Sequence, residues 1–578
     1  MNSNRLPLFT RADNFVKDLT LTSNQLLLIV CAYIALILNL PFLFKSANAI
    51  TGLDDFNWLF LITFPIFLFS ITLLIQSLFA VKWLIKPILI ITVIISTLMF
   101  YATLTYGIVF DYGMVQNTVE SDSAELLSYL NLYAVVFFIV FAVIPAVLIC
   151  SIKISYQPFL KELFNRITLF AGATLITVLI GTIFYSNYAS VGRNNKDLID
   201  YITPYKGIDS IYKFARKHYF YPPLKFQLLD TSPQIINKNN NKHVTVFVLG
   251  ETARAQNFSL NGYNRLTNRY TANQDVISFT NISSCGTATA VSVPCMFSRL
   301  NKSNYDKRLA TSQQNVIDIV HLAGTDVLWI SNNNGSCKGV CTRVNTQQIA
   351  TTKSNPLCDG EYCYDEALLQ PLREKLHKLE YDNTLIVLHM IGSHGPTYFK
   401  RYPSNKILFT PDCQRSDIQN CTQEQLVNSY DNSIAYTDYV LNQIIIELSR
   451  LSETEDVASS MLYVSDHGES LGEKGMYLHG LPYAFAPQEQ THVPMIFWAS
   501  AQVSNSTPDI DLTCLKNKST NVFSHDMVFD AVLSITSVKS KTHHIKNDPF
   551  YGCKSASFVP LPLLESAKKI QTQSSGEH

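Results

Sequence analysis

Long uncharged, mainly apolar stretches dominate the first third of the chain. Five of them occur there, at 19–44, 56–81, 87–110, 126–152 and 167–192. Each exceeds the roughly 20 residues that an α-helix needs to cross the hydrocarbon core of a bilayer. The pattern predicts a transmembrane domain over 1–192, with five helices at about 24–45, 57–80, 84–109, 128–152 and 167–189.

Basic residues mark alternate connections between these stretches. Three precede the first stretch (Arg5, Arg11 and Lys17), and two lie between the second and third stretches (Lys82 and Lys86). Three more lie between the fourth and fifth stretches (Lys153, Lys161 and Arg166). By the positive-inside rule the N-terminus is cytoplasmic, so five crossings place everything after about 193 outside. The formal net charge of +0 adds nothing to this picture, and no nucleic-acid partner is expected.

Cysteine usage agrees with this orientation. Of the 12 cysteines, Cys31 and Cys150 lie in predicted spans, and all the others follow residue 280, on the predicted oxidising side. Close spacing favours disulfides within the pairs 285/295, 358/363 and 413/421. The sequence leaves open the pairing of four further residues: Cys337, Cys341, Cys514 and Cys553.

Between 193 and 242 the sequence predicts a linker. Within it, 205–222 places five residues near one helical face, with basic residues interleaved: Ile208, Ile211, Tyr212, Phe214 and Ala215. That pattern is typical of a helix lying along a membrane surface, and a linker helix packed on the folded domain fits equally well. Residues 233–242 are polar and turn-rich, so a second domain is expected over 243–578.

Short apolar runs in this second domain end in polar residues. They are HVTVFVLGE (243–251), DVLWISNNN (326–334), NTLIVLHMIGSHG (383–395) and SMLYVSDHGES (460–470). Each predicts a buried strand, and the segments between them predict helices, so we expect a parallel α/β sheet covered on both faces. Ligands of such sheets gather at the carboxyl ends of the strands. The candidate site therefore comprises Glu251, Asn332, Asn333, Asn334, Ser393, His394, Asp466 and His467.

Carboxylate and imidazole groups among these strand ends indicate a metal site. Asp466 and His467 are adjacent, and Glu251 supplies a second carboxylate. Mixed oxygen and nitrogen ligands suit Zn²⁺, with Mn²⁺ as the second choice. Taken alone, the Asp-His-Gly sequence is equally compatible with a capped turn.

The segment SSCGTATAVSVPC (283–295) raises the question of a nucleophile. A threonine hydroxyl is a poor nucleophile unless a base or a metal ion assists it. An ordinary Ser/Thr-rich turn at a helix start is the alternative. The continuation TAVSVPCMFSRL predicts a helix that begins near Thr289, and the positive end of such a helix suits a phosphate.

Six segments carry a resemblance to a known family. They are GETARAQNFSLNGYNR (250–265), SSCGTATAVSVPCMFS (283–298), SHGPTY (393–398), YDNSIAYTD (430–438), SDHGESLGEKGMYLHG (465–480) and THVPMIFW (491–498). The chain resembles the phosphoethanolamine–lipid A transferases, a family of the colistin-resistance type within the alkaline phosphatase/sulfatase superfamily. The resemblance implies an N-terminal five-helix transmembrane domain and a periplasmic α/β hydrolase-like catalytic domain of the alkaline phosphatase/sulfatase type.

The resemblance also implies roles for individual residues. Thr289 matches the family's nucleophile, and it would hold Zn²⁺ together with Glu251, Asp466 and His467. One zinc site is expected, with room for a second. His394 and His479 resemble the histidines that contact the transferred phosphate or a second zinc and serve as acid or base.

Two further segments resemble the family's donor-binding residues. Lys338, in GSCKGV, matches a lysine near the phosphoethanolamine group. The segment NTVESDSAE (117–125) resembles a pattern that contacts the lipid donor, through Asn117, Ser121 and Glu125. Threonine is usual in the family where this chain has Ser121, and a solvated acidic loop is the alternative interpretation.

The predicted function is transfer of phosphoethanolamine from phosphatidylethanolamine to a phosphate of lipid A, through a phospho-threonine intermediate. This would occur at the inner membrane of a Gram-negative bacterium, in a monomer, and would give polymyxin resistance. The alternative acceptors are a core sugar of lipopolysaccharide and a periplasmic glucan. The non-enzymatic alternative is an inactive lipid-binding membrane sensor. Sulfatase activity is disfavoured, because no C/S-x-P-x-R motif surrounds Thr289.

Overall fold

The computed structural model describes residues 20–51, 57–121, 126–127, 129–236, 242–333, 336–505 and 510–554. The chain divides into two compact units. The first comprises 1–119 and 129–221, and the second comprises 120–128 and 222–578. Their boundary at 221/222 falls inside the predicted linker.

Four helices of the first unit are long and apolar enough to cross a membrane. They are Trp58–Leu78, Ile85–Tyr106, Leu132–Ser151 and Phe159–Ile183. A pair bent by 58°, Ser23–Leu38 and Leu40–Thr51, precedes them, so the described residues give five spans only if this pair counts as one. The last helix begins at Phe159, earlier than the apolar pattern predicts, because its first turns contain charged residues, among them Glu162 and Arg166 paired at 3.5 Å, which an uncharged window excludes.

The bend in the first pair is built around Asn39. Its buried side-chain amide donates to the carbonyl oxygens of Ile34 and Thr203, at 2.9 and 2.8 Å, and accepts from the Thr203 N–H at 2.8 Å. These bonds satisfy backbone groups that a break in a helix leaves without partners. An uncharged window in the sequence does not reveal such a break.

Connections that the charge pattern assigns to the cytoplasm lie together at one end of the first unit. The strand Thr20–Thr22 pairs in parallel with Lys153–Ser155. The Lys86 ammonium donates to the carbonyl oxygens of Cys150 and Ile152, at 2.8 and 2.7 Å. This arrangement agrees with the alternation of the connections on which the predicted orientation rests.

Three further helices lie between 112 and 215: Tyr112–Glu120, Tyr185–Asn194 and Tyr205–Ala215. The last of these packs closely against the span Ile85–Tyr106, since a Cβ added at Gly207 would lie 2.7 Å from Met99 Sδ. Its exposed side chains include the apolar residues Ile208, Ile211 and Tyr212. The helix therefore combines packing on the first unit with an apolar outer face.

An eight-stranded sheet forms the centre of the second unit. In chain order its strands are β1 (His243–Gly250), β2 (Ile277–Ser283), β3 (Asp326–Ser331), β4 (Asn345–Gln348), β5 (Asn383–His389), β6 (Ala458–Ser465), β7 (His492–Ala499) and β8 (Phe523–Ser524). Their order across the sheet is β8-β2-β7-β6-β1-β5-β3-β4. The four predicted strands are confirmed as β1, β3, β5 and β6.

These four strands are parallel neighbours whose carboxyl ends are level. Gly250 pairs with Ser465, and His389 pairs with both Leu249 and Ser331. The polar residues that follow the strands therefore emerge along one edge of the sheet. The sheet as a whole is mixed, since β7 runs antiparallel to β6 and β2, which corrects the expectation of a purely parallel sheet.

Helices cover both faces of the sheet. On one face α1 (Thr289–Met296) shares a buried core with Val316–Leu322, Val528–Ile535 and the large strand residues Phe247 and Trp329. On the other face the long helix α2 (Gln423–Glu455) packs against β6. The remaining helices of this unit are Lys307–Thr311, Leu369–Leu376, Gln488–Thr491, Ala501–Asn505 and Leu512–Lys518.

Disulfides confirm the three predicted cysteine pairs and settle the pairing left open. The five bonds are Cys285–Cys295, Cys337–Cys341, Cys358–Cys363, Cys413–Cys421 and Cys514–Cys553. Cys31 and Cys150, in the first unit, are free thiols.

Candidate active site

The ends of β1 and β6 meet the first residue of α1 at a buried point. The Thr289 hydroxyl donates to Glu251 Oε1 at 2.9 Å and lies 3.3 Å from His467 Nε2. The same nitrogen lies 3.3 Å from both Glu251 Oε1 and Asp466 Oδ2. All four side chains are buried, so a hydroxyl, two carboxylates and an imidazole share one small space.

This group of side chains fits a Zn²⁺ ion. Asp466 Oδ2 is buried without a hydrogen-bond partner, as a ligand awaiting a cation would be. His467 Nδ1 lies 2.9 Å from the Gly468 carbonyl oxygen, which places a ring hydrogen on Nδ1 and leaves Nε2, on the side of the carboxylates, as the atom that a metal ion would bind in place of a proton. Oxygen and nitrogen ligands in this combination are those that Zn²⁺ takes in proteins.

The pKa values of these side chains also indicate a site that favours a bound cation. Burial, together with the neighbouring Glu251 charge, raises the pKa of Asp466 to about 7. Although burial opposes its protonation, His467 has a pKa raised to about 10 by the adjacent charges of Asp466 and Glu251. Two buried carboxylates at this separation therefore attract positive charge, which a metal ion would provide.

Hydrogen bonds from neighbouring residues fix both carboxylates. Asn333 Nδ2 donates to Glu251 Oε2 at 2.8 Å, and the Thr252 hydroxyl donates to Glu251 Oε1 at 2.7 Å. The Thr252 N–H donates to Asp466 Oδ1 at 3.0 Å. Thr252 achieves this in the left-handed backbone region, with φ at 59°, which is a strained conformation for a β-branched residue.

Glycines let two loops approach the site closely. A Cβ at Gly468 would lie 2.0 Å from the Glu489 carbonyl oxygen. Gly392 has φ at +53°, and a Cβ there would lie 2.4 Å from the Glu251 carbonyl oxygen. Both positions therefore require glycine, which explains why glycine follows the Asp466-His467 pair.

Some predicted strand-end residues point away from this centre. Asn332 donates to Asp365 Oδ1 at 2.8 Å, and the Ser393 hydroxyl bonds to Ser433 of α2 at 2.9 Å. Both contacts are buried and hold loops in place. Asn334 lies outside the described residues.

His394 and His479 stand beside His467. The ring centroid of His479 lies 4.5 Å from that of His467 and 5.2 Å from that of His394. His479 Nδ1 lies 3.2 Å from Glu469 Oε2, and His394 Nδ1 lies 2.8 Å from the Gly395 carbonyl oxygen. These contacts orient a row of three imidazoles next to the Thr289 hydroxyl.

Lys338 belongs to the small loop closed by Cys337–Cys341. Its ammonium donates to the Glu120 carbonyl oxygen at 2.8 Å, and the Glu120 carboxylate pairs with Lys307 at 2.5 Å. Asn117 lies on the helix Tyr112–Glu120 in the first unit, Ser121 follows that helix, and Glu125 lies outside the described residues. The donor contacts expected of these three residues stay predictions.

Comparison with known proteins places this geometry in a family. A family model described as Phosphoethanolamine transferase EptA/EptB matches residues 68–219, and one described as Sulfatase matches residues 243–538. Phosphoethanolamine transferase EptA of Escherichia coli strain K12 is 39% identical over 541 residues, which cover 92% of this chain and 97% of that protein. The chain belongs to the phosphoethanolamine transferase family.

Two other members of the phosphoethanolamine transferase family extend the comparison. Phosphatidylethanolamine transferase Mcr-1 of Escherichia coli is 37% identical over 521 residues, which cover 88% of this chain and 94% of that protein. The structure of the integral membrane protein lipooligosaccharide phosphoethanolamine transferase A (EptA) from Neisseria meningitidis matches with a TM-score of 0.87 at 34% identity, covering 93% of this chain and 99% of that one. The family likeness therefore includes both units.

Three hydroxyls of the 283–295 loop have different partners. The Thr287 hydroxyl donates to the Leu481 carbonyl oxygen, and the Ser292 hydroxyl donates to the Asp466 carbonyl oxygen, both at 2.5 Å. Of these three, Thr289 is the one that contacts the side chains of Glu251 and His467. Sequence reasoning did not identify Thr252 or His525, which support the site through backbone conformation and through contacts between distant segments.

The Cys285–Cys295 bond is expected to support activity as well as stability. Replacing both cysteines by serine should lower the free energy of unfolding by about 2–4 kcal/mol and also slow transfer, because Thr289 lies inside the closed loop. Removing Cys413–Cys421, which closes a loop of similar length, should destabilise without slowing transfer by folded protein. Thermal melting and transfer assays of both double variants check this. Equal activity of the two folded variants would contradict it.

Glu469 is expected to make the metal-free protein sensitive to pH. Burial raises the pKa of its carboxyl to about 8. Below the unfolded-state pKa, near 4.5, the carboxyl is protonated in both the folded and the unfolded protein, and its contribution to stability is fully present. As the pH rises from there toward 8, the unfolded protein loses this proton first, so the free energy of unfolding should fall by about 1.4 kcal/mol per pH unit. Melting of chelator-treated protein between these pH values should show the slope, and Glu469→Gln should reduce it. An unchanged slope in the variant would contradict this assignment.

Proposed function

We propose that this chain transfers phosphoethanolamine from phosphatidylethanolamine to a phosphate of lipid A, through a covalent intermediate on Thr289. The observation that carries the proposal is the position of the Thr289 hydroxyl, 2.9 Å from Glu251 Oε1 and 3.3 Å from His467 Nε2, at the first residue of α1. The N-terminus of a helix favours the negative charge of a phosphate.

The residues of the site have separate roles in two displacement steps at phosphorus. The Thr289 hydroxyl gives its proton to a base, and Oγ1 bonds to the phosphorus of the donor while the bond from phosphorus to the diacylglycerol oxygen breaks and that oxygen takes up a proton from an acid. A phosphate oxygen of lipid A then bonds to the same phosphorus while the bond from phosphorus to Thr289 Oγ1 breaks, and Oγ1 takes up a proton, which restores the hydroxyl. His394 and His479 are the acid and base of these steps. When bound, Zn²⁺ would lower the hydroxyl pKa of Thr289 and offset the negative charge of the phosphoryl oxygens.

Membrane anchoring supports lipids as donor and acceptor. The names of the relatives include phosphatidylethanolamine for Mcr-1 and lipooligosaccharide for the meningococcal protein. The disulfides of the second unit support a periplasmic location, with the spans in the inner membrane of a Gram-negative bacterium. Each transfer adds an ammonium group to lipid A, so weaker binding of polymyxin and hence resistance is the expected outcome.

Mass spectrometry of lipid A and core oligosaccharide tests the acceptor. The full chain is produced in a Gram-negative strain that lacks its own phosphoethanolamine transferases, with Thr289→Ala as the matched control. We expect lipid A to gain the mass of one phosphoethanolamine, together with a raised polymyxin tolerance. The same increment on the core or on a periplasmic glucan, with lipid A unchanged, would overturn lipid A as the acceptor.

Lys338 is expected to act on donor binding. Lys338→Ala should raise KM for phosphatidylethanolamine about 10- to 150-fold, because it would remove a charged hydrogen bond to the donor phosphate of roughly 1.5–3 kcal/mol. Lys375→Ala is the control, since that lysine pairs with Asp326 at the opposite end of β3. Steady-state assays with varied donor check the difference. Equal KM values for the two variants would remove Lys338 from the donor site.

A further inference from the structure

His525 is a buried histidine for which no motif in the sequence suggests a role. It begins the short turn His525–Met527 immediately after β8, and its relative exposure is 1%. Pairing of Ser524 with Ser283 sets β8 beside the end of β2. The ring therefore lies next to the start of the 283–295 loop, although 236 positions separate His525 from Thr289 in the sequence.

The ring contacts three groups from two separate segments of the site. Nε2 lies 3.0 Å from the Ser465 carbonyl oxygen, at the end of β6. Nδ1 lies 3.1 Å from the Cys285 N–H and 3.2 Å from the Ser292 hydroxyl. Both ring nitrogens are thus engaged by groups that flank the metal ligands and the nucleophile.

These partners fix the state of the ring. A carbonyl oxygen only accepts, so Nε2 carries the hydrogen, and a backbone N–H only donates, so Nδ1 must be an acceptor. The ring is therefore the neutral tautomer with its hydrogen on Nε2. Burial lowers the pKa of His525 to about 3, in agreement with a ring that stays neutral. His525 thus holds its partners without taking part in proton transfer.

His525 joins the segment that carries the nucleophile to the segment that carries two proposed metal ligands. The distance between these segments determines whether the Thr289 hydroxyl is placed to react. Ser465 immediately precedes Asp466 and His467, while Ser292 lies one helical turn after Thr289 on α1. The Ser292 hydroxyl donates its single hydrogen to the Asp466 carbonyl oxygen at 2.5 Å, so its approach to His525 Nδ1 is a packing contact. The His525 ring and the Ser292 hydroxyl together connect the loop and the start of α1 to the end of β6, which bears the proposed metal ligands Asp466 and His467.

We propose that His525 is a positioning residue for the transfer reaction. Its neutral ring holds the Thr289 hydroxyl at bonding distance from the side chains of Glu251 and His467, without touching the reacting atoms. This rests on the proposed function of Thr289 as nucleophile. A displacement of about 1 Å between reacting groups can slow a reaction by roughly 100-fold, so a rigid link at this point has a large effect on rate.

Substitutions can separate the two halves of the link. His525→Phe keeps the ring volume and removes both hydrogen bonds. His525→Gln places an amide N–H near Nε2 and retains the bond to Ser465, whereas His525→Asn places an amide oxygen near Nδ1 and retains the bond from Cys285. His543→Phe is the matched control, since His543 is another buried histidine of the C-terminal region and contacts Asp548 at 3.0 Å.

The test uses the full-length chain purified in detergent and loaded with zinc. Phosphatidylethanolamine with a fluorescent acyl chain serves as donor, and mass spectrometry follows phosphoethanolamine on Thr289 before acceptor is added. His525→Phe should slow this loading about 10- to 100-fold with little change in KM for the donor. Zinc affinity, measured by competition with a chromophoric chelator, should weaken about 10- to 100-fold. His525→Gln and His525→Asn should each recover part of both losses.

The outcomes distinguish the two proposals. Loading and zinc affinity equal to wild type in His525→Phe, with only the melting temperature lowered as in His543→Phe, would overturn the positioning role. If His525→Phe does not fold, loading and zinc affinity are compared between wild type and the glutamine and asparagine variants instead. Wild-type values in both variants would overturn the positioning role. Absence of loading in the wild-type chain would instead contradict the proposed function. The zinc titration uses no donor, so it would still test whether His525 positions the metal-binding side chains.

Discussion

Replacing Thr289 by alanine is expected to abolish phosphoethanolamine transfer, with a loss in kcat of about 10³-fold or more. Among the residues that the structure describes, Thr289 supplies the hydroxyl that lies within hydrogen-bonding distance of both Glu251 Oε1 and His467 Nε2. Removing it leaves the incoming phosphorus without a nucleophile. The measurement is release of fluorescent diacylglycerol from labelled phosphatidylethanolamine, together with mass spectrometry of the loop peptide.

Two variants make this result interpretable. Thr289→Ser keeps a hydroxyl at the same position and should retain measurable transfer and loading. Thr287→Ala removes a hydroxyl from the same disulfide loop that donates to the Leu481 carbonyl oxygen, and should lower activity far less. Transfer by Thr289→Ala at the wild-type rate would defeat the covalent mechanism. Loading on any other residue would reassign the nucleophile.

Loss of a metal-binding carboxylate is the second large expected effect. Glu251→Gln should weaken zinc binding by more than about 100-fold, the upper range for residues that only support ligands. Wild-type protein in zinc at 100 times its Kd should gain about 2.7 kcal/mol of stability over chelator-treated protein, and the variant should lose most of that gain. Chelator competition and thermal melting in the presence and absence of zinc measure the two quantities.

The control for this experiment is a glutamate outside the site. Glu447 on α2 pairs with Arg373 at 2.7 Å and with Arg450 at 2.6 Å, so Glu447→Gln removes a half-buried carboxylate without altering the proposed metal ligands. It should retain the stabilisation by zinc. A Glu251→Gln protein that is stabilised by zinc as strongly as wild type would contradict the predicted ligand set.

Sequence patterns predicted the parts of this fold that depend on local composition. Buried apolar runs located the four central strands, and their polar ends located Glu251, Asp466 and His467 at one edge of the sheet. The prediction succeeded because parallel neighbouring strands in register bring successive residues to the same level. The start of α1 at Thr289 followed from the same kind of local evidence.

Features that depend on tertiary contacts were beyond this approach. The bend at Asn39 is stabilised by Thr203, which lies 164 positions away in the sequence. The antiparallel direction of β7 depends on its neighbours, since an apolar run has no direction of its own. Thr252 looks like an ordinary residue of the strand end until its positive φ is observed. His525 has the same limitation, because its partners come from two segments that are distant in the sequence.

The disulfides have a consequence for how the chain folds as it leaves the membrane. Four of the five join cysteines separated by ten positions or fewer, and the fifth spans 39. Partners so close together emerge from the translocation machinery almost at the same time, before the following cysteines are exposed. Correct pairing then depends mainly on the order of emergence, and little on prior assembly of the sheet. A host deficient in thiol oxidation should therefore accumulate chains whose individual loops are open, with few mispaired ones.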